Sequence, residues 1–228
     1  MPKSSYQSKT VGNINIDTDN NQVTIETKNL KLISLNQMDK DKHVANFKTV
    51  FQNEENVRLF GNGQIWNDDK VRGFIDTEVG KWQQGIPLAA FAVYDQKGMQ
   101  FLGSLFTKYV PKDFAQVGAG HGQAAEIGYI LDNKSWGKGY GKEVAFAGKK
   151  YIKQVSQSHP QEPIKEIVAT VHPNNKASEA ILKKALKQRE QNTFYKGEQM
   201  LRFLFYKELK SANPSESATA TVTNNQFS

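Results

Sequence analysis

The stretch GYILDNKSWGKGYGKEVAFAGKKYI, residues 128–152, limits the possible folds of this chain more than any other segment. It begins as a short apolar strand pattern, passes through a polar break, and continues after WGKGYG with apolar residues at helical spacing. Three glycines, Gly137, Gly139 and Gly141, alternate at this junction. Because glycine lowers local order, we expect the junction to need a backbone without side chains.

The glycines fit neither common nucleotide-binding fingerprint. A Walker loop needs a glycine five residues after Gly137, where this chain has Lys142 followed by Glu143. A dinucleotide fingerprint would likewise need its third glycine at position 142. Helix-start amides and the helix dipole still favour a diphosphate, with Lys134 and Lys138 nearby to contact its oxygens. From the glycines alone, a strand–helix connection without a ligand is an equally open interpretation.

The rest of the chain alternates strand and helix patterns between two polar ends. We expect a loose arm over residues 1–22, one domain over residues 23–210 and a disordered tail over residues 211–228. The predicted strands lie at residues 22–35, 87–95, 99–109, 125–131, 166–173 and 200–209, with one more near 193–195. The predicted helices follow Asp39 or Asp41, Asn67 or Asp68, Gly139, and Asn175. This order predicts a mixed α/β fold with a mixed sheet.

Composition excludes several classes of protein. The chain has no cysteine, so it has neither disulfides nor thiolate sites. No run of about 18 apolar residues predicts a membrane helix. The N-terminus lacks a secretory signal pattern, so we expect a cytoplasmic protein, with export through the tail left open. The four histidines show no metal-ligand spacing, and the lysines behind the net charge of +7 are scattered, which disfavours a nucleic-acid partner.

Two linked motifs, WGKGYG at residues 136–141 and the later segment VHPNNKASEAILKKAL, together resemble those of the GNAT-type N-acetyltransferases, and most of all the branch of ribosomal-protein N-terminal acetyltransferases. The loop from Trp136 to Gly141 resembles motif A of that family, Gln/Arg-x-x-Gly-x-Gly/Ala, with Trp136 at the Gln/Arg position. The later segment VHPNNKASEAILKKAL resembles the second motif, in which Asn175 and Ser178 begin a helix. The resemblance covers about residues 23–207.

The resemblance implies an α+β GNAT fold. Its mixed, mostly antiparallel sheet would have six to seven strands, about four helices and a V-shaped split between strands 4 and 5. Acetyl-CoA would lie in that split as the cosubstrate, and no metal is implied. The implied cofactor contacts are Tyr129, Ile130, Leu131, Trp136, Gly137, Lys138, Gly139, Tyr140, Gly141, Lys142 and Asn175.

The implied reaction is direct attack of an amine on the thioester. Glu126 is the candidate base, and Ser178 is the candidate donor of a proton to the leaving thiolate. Two alternatives stay open: Glu126 as a strand-edge charge or amine contact, and Ser178 as a helix cap. Leu182 stands where many family members carry a tyrosine acid. The segment at residues 183–187 lacks the usual glycine and aromatic residue, so the acceptor cannot be carried over from the ribosomal branch.

We expect a protein or peptide N-terminus as the acceptor, with a small-molecule amine such as an antibiotic or polyamine as the alternative. A catalytically idle module that binds CoA or a protein partner remains a rival, and a nucleic-acid- or ribosome-binding protein is supported by charge alone. Trp66, Phe74 and Trp82 lie in the region that lines the acceptor side in this family, or else pack in the core. His121, in a glycine-rich loop predicted to be flexible, is either a second base, a substrate contact or an exposed residue without a role. The protein is a monomer or a dimer.

Overall fold

A computed structural model describes residues 3–97, 99–110, 124–161, 163–195 and 198–209 of the protein. Over these ranges the chain forms one ten-stranded sheet and five α-helices. The strands are β1 (Ser4–Ser8), β2 (Gly12–Asp19), β3 (Gln22–Glu26), β4 (Leu30–Ser34), β5 (Phe91–Asp95), β6 (Phe101–Tyr109), β7 (Ala124–Leu131), β8 (Glu166–Val171), β9 (Gln188–Tyr195) and β10 (Glu198–Glu208). The helices are α1 (Lys40–Phe51), α2 (Glu54–Val57), α3 (Asp68–Gln83), α4 (Tyr140–Ser158) and α5 (Lys176–Ala185).

The sheet is split between β7 and β8. Its strand order is β1-β2-β3-β4-β5-β6-β7-β8-β10-β9, and β7 and β8 form the parallel pair among otherwise antiparallel neighbours. These two strands pair only from Ala124 to Glu126 of β7 and then diverge. The predicted mixed, mostly antiparallel fold with a split at the fourth and fifth predicted strands is therefore confirmed, although the strand count is larger than predicted.

The N-terminal segment corrects the prediction of a loose arm. Within residues 4–19 the chain forms β1 and β2, and β2 pairs with β3 so that Ile16 lies opposite Ile25. Ile14 and Ile16 are fully buried in the core, while their polar neighbours face outward. The period-two alternation in NINID is a strand signal, but the Ser- and Asn-rich composition obscured it. A second correction is that residues 22–35 form the hairpin of β3 and β4 rather than one bent strand.

The helices cover both faces of the sheet. Leu105 and Phe106 are neighbours on β6, so their side chains point to opposite faces. Leu105 contacts Gly148 of α4, whereas Phe106 lies 5.6 Å from the Phe74 ring of α3. Asp39 caps α1 and Asn67 caps α3, as the sequence allowed. The predicted tail, His121 and the glycine-rich loop lie outside the described residues.

Candidate functional site

The site begins where β7 leaves β8. One edge of β7 pairs with β6 along the whole strand as far as Leu131. Among the described strands, the other edge has no partner beyond Glu126, which lies opposite Val168 of β8. A cleft of about 910 Å³ occupies this opening and runs from the turn before α4 to the helices α2 and α3. An open strand edge inside a cleft presents unpaired backbone N–H and C=O groups to a ligand.

At one end of the cleft the chain turns from β7 into α4 through the glycines, as the sequence predicted. Gly137 and Gly139 have φ angles of +76° and +83°, in the left-handed region that residues with a Cβ avoid. Among the described residues, no atom lies within 4 Å of a Cβ added at either glycine. Gly139 is the N-cap of α4, and within the described structure no side chain hydrogen bonds to this helix start. The first amides of α4 are therefore left for a ligand.

Gly141 is needed for a different reason than Gly137 and Gly139. A Cβ added there would lie 3.2 Å from Cδ1 of Ile181 on α5 and 3.4 Å from Cε2 of Tyr129 on β7. The third glycine thus allows α4 to approach β7 and α5 closely. Trp136 fixes the other side of the turn, because its indole Nε1 donates a hydrogen bond of 2.8 Å to the carbonyl oxygen of Leu131. Tyr140, Lys142 and the glycines of the turn also line the cleft.

The start of α5 faces the open edge of β7. Asn175 is the N-cap of α5, and its Oδ1 accepts a hydrogen bond of 3.0 Å from the backbone N–H of Ser178. The Ser178 hydroxyl is therefore not the cap, and it lies 3.1 Å from the phenol oxygen of Tyr129. Burial raises the pKa of the Tyr129 phenol to about 12, although the hydrogen bond with Ser178 lowers it. Both hydroxyl groups are therefore protonated near neutral pH.

Glu126 lies at the vertex of the split, on the last β7 residue that pairs with β8. Its carboxylate forms an ion pair of 2.7 Å with Nζ of Lys108 across the β6–β7 pair, and its side chain is 18% exposed. Glu126 and Tyr129 are three residues apart on a strand, so their side chains leave opposite faces of β7. The structure thus brings Glu126 and Ser178 to one cleft from its two sides.

Four aromatic side chains, Phe60, Trp66, Phe74 and Phe106, line the cleft on the Glu126 side, and we call them the aromatic wall. Their ring centroids lie 5.4 Å apart for Trp66 and Phe74, and 5.6 Å apart for Phe74 and Phe106. Each is only partly buried. Of the three aromatic residues that the sequence singled out, Trp66 and Phe74 belong to this wall. Trp82 is 1% exposed and packs in the core.

The sequence did not indicate Phe60, Phe106 or Arg202 as residues of the cleft. Arg202 of β10 is buried, and its guanidinium donates hydrogen bonds to the carbonyl oxygens of Leu59 and Gly61 in the turn after α2. It therefore joins that turn to the far side of the split. Basic side chains outnumber acidic ones along the cleft, which favours an anionic ligand. These are Arg58, Lys70, Lys81, Lys108, Lys142, Lys176 and Arg202, against Glu55, Glu78 and Glu126.

In the part of the chain that the structure describes, no group of three or more His, Asp or Glu side chains is placed to hold a metal ion. None of the described helices is long and apolar enough to cross a membrane.

Comparison with protein families gives one match that covers most of the chain. A family model described as "Acetyltransferase (GNAT) domain" matches residues 33–185. No curated protein matches the chain in sequence. The matched residues include the open edge of β7, the glycine turn, and the start of α5 with Asn175 and Ser178.

Solved structures share the fold at low sequence identity. A GNAT-family acetyltransferase from Bacillus anthracis is 16% identical, with a TM-score of 0.55 over 80% of this chain and 95% of that chain. RimL, a ribosomal L7/L12 alpha-N-protein acetyltransferase in complex with coenzyme A, is 17% identical, with a TM-score of 0.56 over 81% and 97%. A ribosomal-protein-S5-alanine acetyltransferase from Vibrio fischeri is 14% identical, with a TM-score of 0.55 over 81% and 96%. At these identities the similarity shows the fold.

Proposed function

The chain belongs to the GNAT acetyltransferase family, and from this premise we propose that it transfers an acetyl group from acetyl-CoA to an amine. The observation that carries the proposal is the open edge of β7 leading directly to the uncapped, glycine-lined start of α4. A strand edge can pair with an extended amide chain, and a helix start can bind a diphosphate. Acetyl-CoA contains both of these groups in that order.

In the proposed complex, the pantetheine arm pairs with the backbone of Tyr129, Ile130 and Leu131 as an added strand. The diphosphate lies on the amides of residues 137–141, and the positive φ of Gly137 and Gly139 aims those amides without a Cβ in the way. Lys138 and Lys142 supply positive charge beside it. Trp136 holds the turn through Leu131, while Asn175 begins α5 beside the thioester end of the arm.

The chemistry uses both sides of the split. The amine nitrogen attacks the thioester carbonyl, so a C–N bond forms and the C–S bond breaks. Glu126 accepts the proton that the amine releases, directly or through one water, and a backbone N–H of β7 stabilises the oxyanion. The thiolate takes its proton through the Ser178 hydroxyl, which regains one from solvent through the Tyr129 phenol, 3.1 Å away. Leu182 is buried and apolar and has no proton to give.

The acceptor proposed is a protein or peptide N-terminus. Support comes from the fold shared with the RimL and S5-alanine acetyltransferases, whose names specify protein acceptors. Two other functions remain in view. The lack of a tyrosine at Leu182 and the ion pair of Glu126 with Lys108 suit a catalytically idle module that binds CoA. The aromatic wall has room to hold a small-molecule amine as well.

An assay of thiol release from acetyl-CoA, run with a panel of peptides and small amines, tests the proposal. We expect CoA to raise the melting temperature and at least one amine to release thiol. A rise in melting temperature without thiol release from any amine would support the idle module. Absence of both effects would contradict acetyl-CoA as the donor.

A further inference from the structure

The face of the sheet beside Glu126 is built from two strands in register. Lys108 of β6 lies opposite Glu126 of β7, and Phe106 lies opposite Gly128. Residues two apart on a strand share a face, so all four point to the same side. Phe106 belongs to the aromatic wall, and Glu126 is the proposed base. The apolar wall and the carboxylate are therefore immediate neighbours along one strand pair.

Gly128 leaves a gap in this face. A Cβ added at Gly128 would meet only Phe106 within 4 Å among the described residues, at 3.9 Å from its Cβ and Cδ2. The gap is therefore open toward the cleft and bounded by an aromatic side chain. Alternate residues on a strand lie about 7 Å apart. A group that fills the gap against Phe106 is thus within reach of an amine placed at Glu126.

The wall itself is arranged to receive a large apolar group. Phe74 lies between Trp66 and Phe106, with ring centroids at 5.4 Å and 5.6 Å, so the rings form a continuous surface. Behind that surface the wall packs against buried Phe51, which holds Trp66 in a stacked contact at 4.1 Å. The four side chains pack against the core on one side, and their exposed parts line the cleft. Such surfaces bind apolar and aromatic groups with defined geometry.

From this arrangement we infer that the acceptor carries a bulky apolar or aromatic side chain next to its reacting amine, in the manner of a peptide that begins with Phe or Leu. A first residue as small as Ser or Ala would leave the gap over Gly128 and the faces of Phe74 and Phe106 in contact with water. This inference rests on the proposed function, since it assigns the acceptor of the same site. Aromatic faces also attract an ammonium group, which favours an amine at this position before it loses its proton.

The first test compares peptides that differ only in their first residue. We expect kcat/KM for Phe- or Leu-starting peptides to exceed that for Ala- or Ser-starting peptides by about 10-fold or more, the discrimination that apolar pockets reach. A further arm of the assay, with 2-phenylethylamine and ethylamine, distinguishes a peptide acceptor from a free amine that carries the same apolar group. If 2-phenylethylamine is acetylated as well as the Phe peptide, the acceptor is a free aralkylamine with the same recognition. Equal or better use of Ala and Ser peptides would overturn the inference.

The second test compares Phe74→Leu with Phe101→Leu. Both phenylalanines are partly buried and pack on Phe47, at 5.9 Å and 5.3 Å, but only Phe74 lines the cleft. We expect Phe74→Leu to lower the ratio of kcat/KM for Phe over Ala peptides by about 3- to 10-fold, because an aromatic contact is lost. Phe101→Leu should leave the ratio unchanged. An equal ratio in both variants would refute a role for the wall.

A third variant, Gly128→Ala, covers the case in which Phe74→Leu does not fold. The added Cβ lies at ordinary contact distance from Phe106, so it fills part of the gap without a clash. We expect the KM of the Phe peptide to rise several-fold more than the KM of the Ala peptide. An equal rise for both peptides contradicts the inference.

The inference and the proposed function fail in different ways. Peptide acetylation without preference for apolar first residues would overturn the inference and leave the proposed function standing, whereas no thiol release from any amine would overturn both.

Discussion

The two ends of the cleft are built in different ways. The donor end, which comprises residues 129–142 and the start of α5, offers mainly backbone: an open strand edge, glycines with positive φ and a helix start. The acceptor end, which comprises the aromatic wall and Glu126, offers side chains from four separate segments. Binding of a ligand by backbone groups requires particular residues at fixed spacing in the sequence, whereas a wall of side chains can be assembled from residues far apart in the sequence. The donor is therefore shared across a family, and the acceptor is free to differ.

The largest expected effect comes from Glu126→Gln at the acceptor end. Removing a general base lowers turnover by about 100- to 10,000-fold. Binding of CoA should not change, because Glu126 does not belong to the donor end. The matched control is Glu55→Gln, which alters an exposed carboxylate of the same cleft that pairs with Arg58. Thiol-release kinetics and CoA titration measure the two quantities. Unchanged turnover in Glu126→Gln would show that this residue is not the base.

The next effect concerns the scaffold of the donor end. Glu143 of α4 is 7% exposed and accepts hydrogen bonds from the Thr27 hydroxyl and from the backbone and side chain of Asn29. It ties the first turn of α4 to the β3–β4 hairpin. Glu143→Ala leaves these donors without an acceptor, which should lower the free energy of unfolding by about 3 kcal/mol. Urea unfolding measures it. The comparison variant is Glu55→Ala, which breaks an exposed ion pair with Arg58 that is worth less than about 1 kcal/mol. If Glu143→Ala lowered the free energy of unfolding by no more than Glu55→Ala does, this role would be contradicted.

A smaller effect separates backbone strain from ligand binding. Gly139 and Gly12 have φ angles of +83° and +76°, and a Cβ at either would meet no described atom within 4 Å. Valine at either position should therefore cost similar stability. Only Gly139→Val should weaken CoA binding, by about 10-fold, since it disturbs the helix start that holds the diphosphate. Calorimetric titration of both variants checks this. Equal CoA affinities of the Gly139→Val and Gly12→Val variants would show that the diphosphate does not bind at the glycine turn.

This contrast also explains what the sequence could predict. WGKGYG and the Asn175–Ser178 pair are local, so the turn before α4 followed from them directly and the split followed through the family resemblance that they carry. The order of elements followed from the apolar patterns along the chain. Only half of the aromatic wall, Trp66 and Phe74, could be anticipated, because Phe60 and Phe106 join it only after α2, α3 and β6 have packed. Ile14 and Ile16 were missed for a different reason. Their alternation is short and lies in a polar segment that, like its partner β3, precedes residues 33–185, which the family model matches.

The smallest expected effect is the acid sensitivity of α1, next to the acceptor end. His43 is fully buried. Burial lowers its pKa from 6.5, although the backbone of Leu35 and the charge of Asp39 act in the opposite direction. Well above pH 6.5, His43 is neutral in both the folded and the unfolded state. As the pH falls below 6.5, the unfolded state binds the proton first, so stability decreases.

His43→Leu should remove part of that decrease between about pH 6.5 and 5, the range in which an unfolded histidine gains its proton. The pKa of His172 is also lowered, by burial and by Arg202, so His172 should still contribute to the decrease in stability of the variant. Urea midpoints for the protein and the variant over this pH range measure the difference. Parallel pH profiles for the two proteins would show that His43 does not contribute.

Hydrogen–deuterium exchange with and without CoA shows whether the cofactor binds to backbone amides of the donor end, because it measures those amides individually. We predict that CoA slows exchange in residues 127–131 of β7 and residues 137–142 of the glycine turn, and leaves α1 and α3 nearly unchanged. That result would place the cofactor on the backbone that the structure leaves open. Protection confined to other segments, with these two unaffected, would contradict the account.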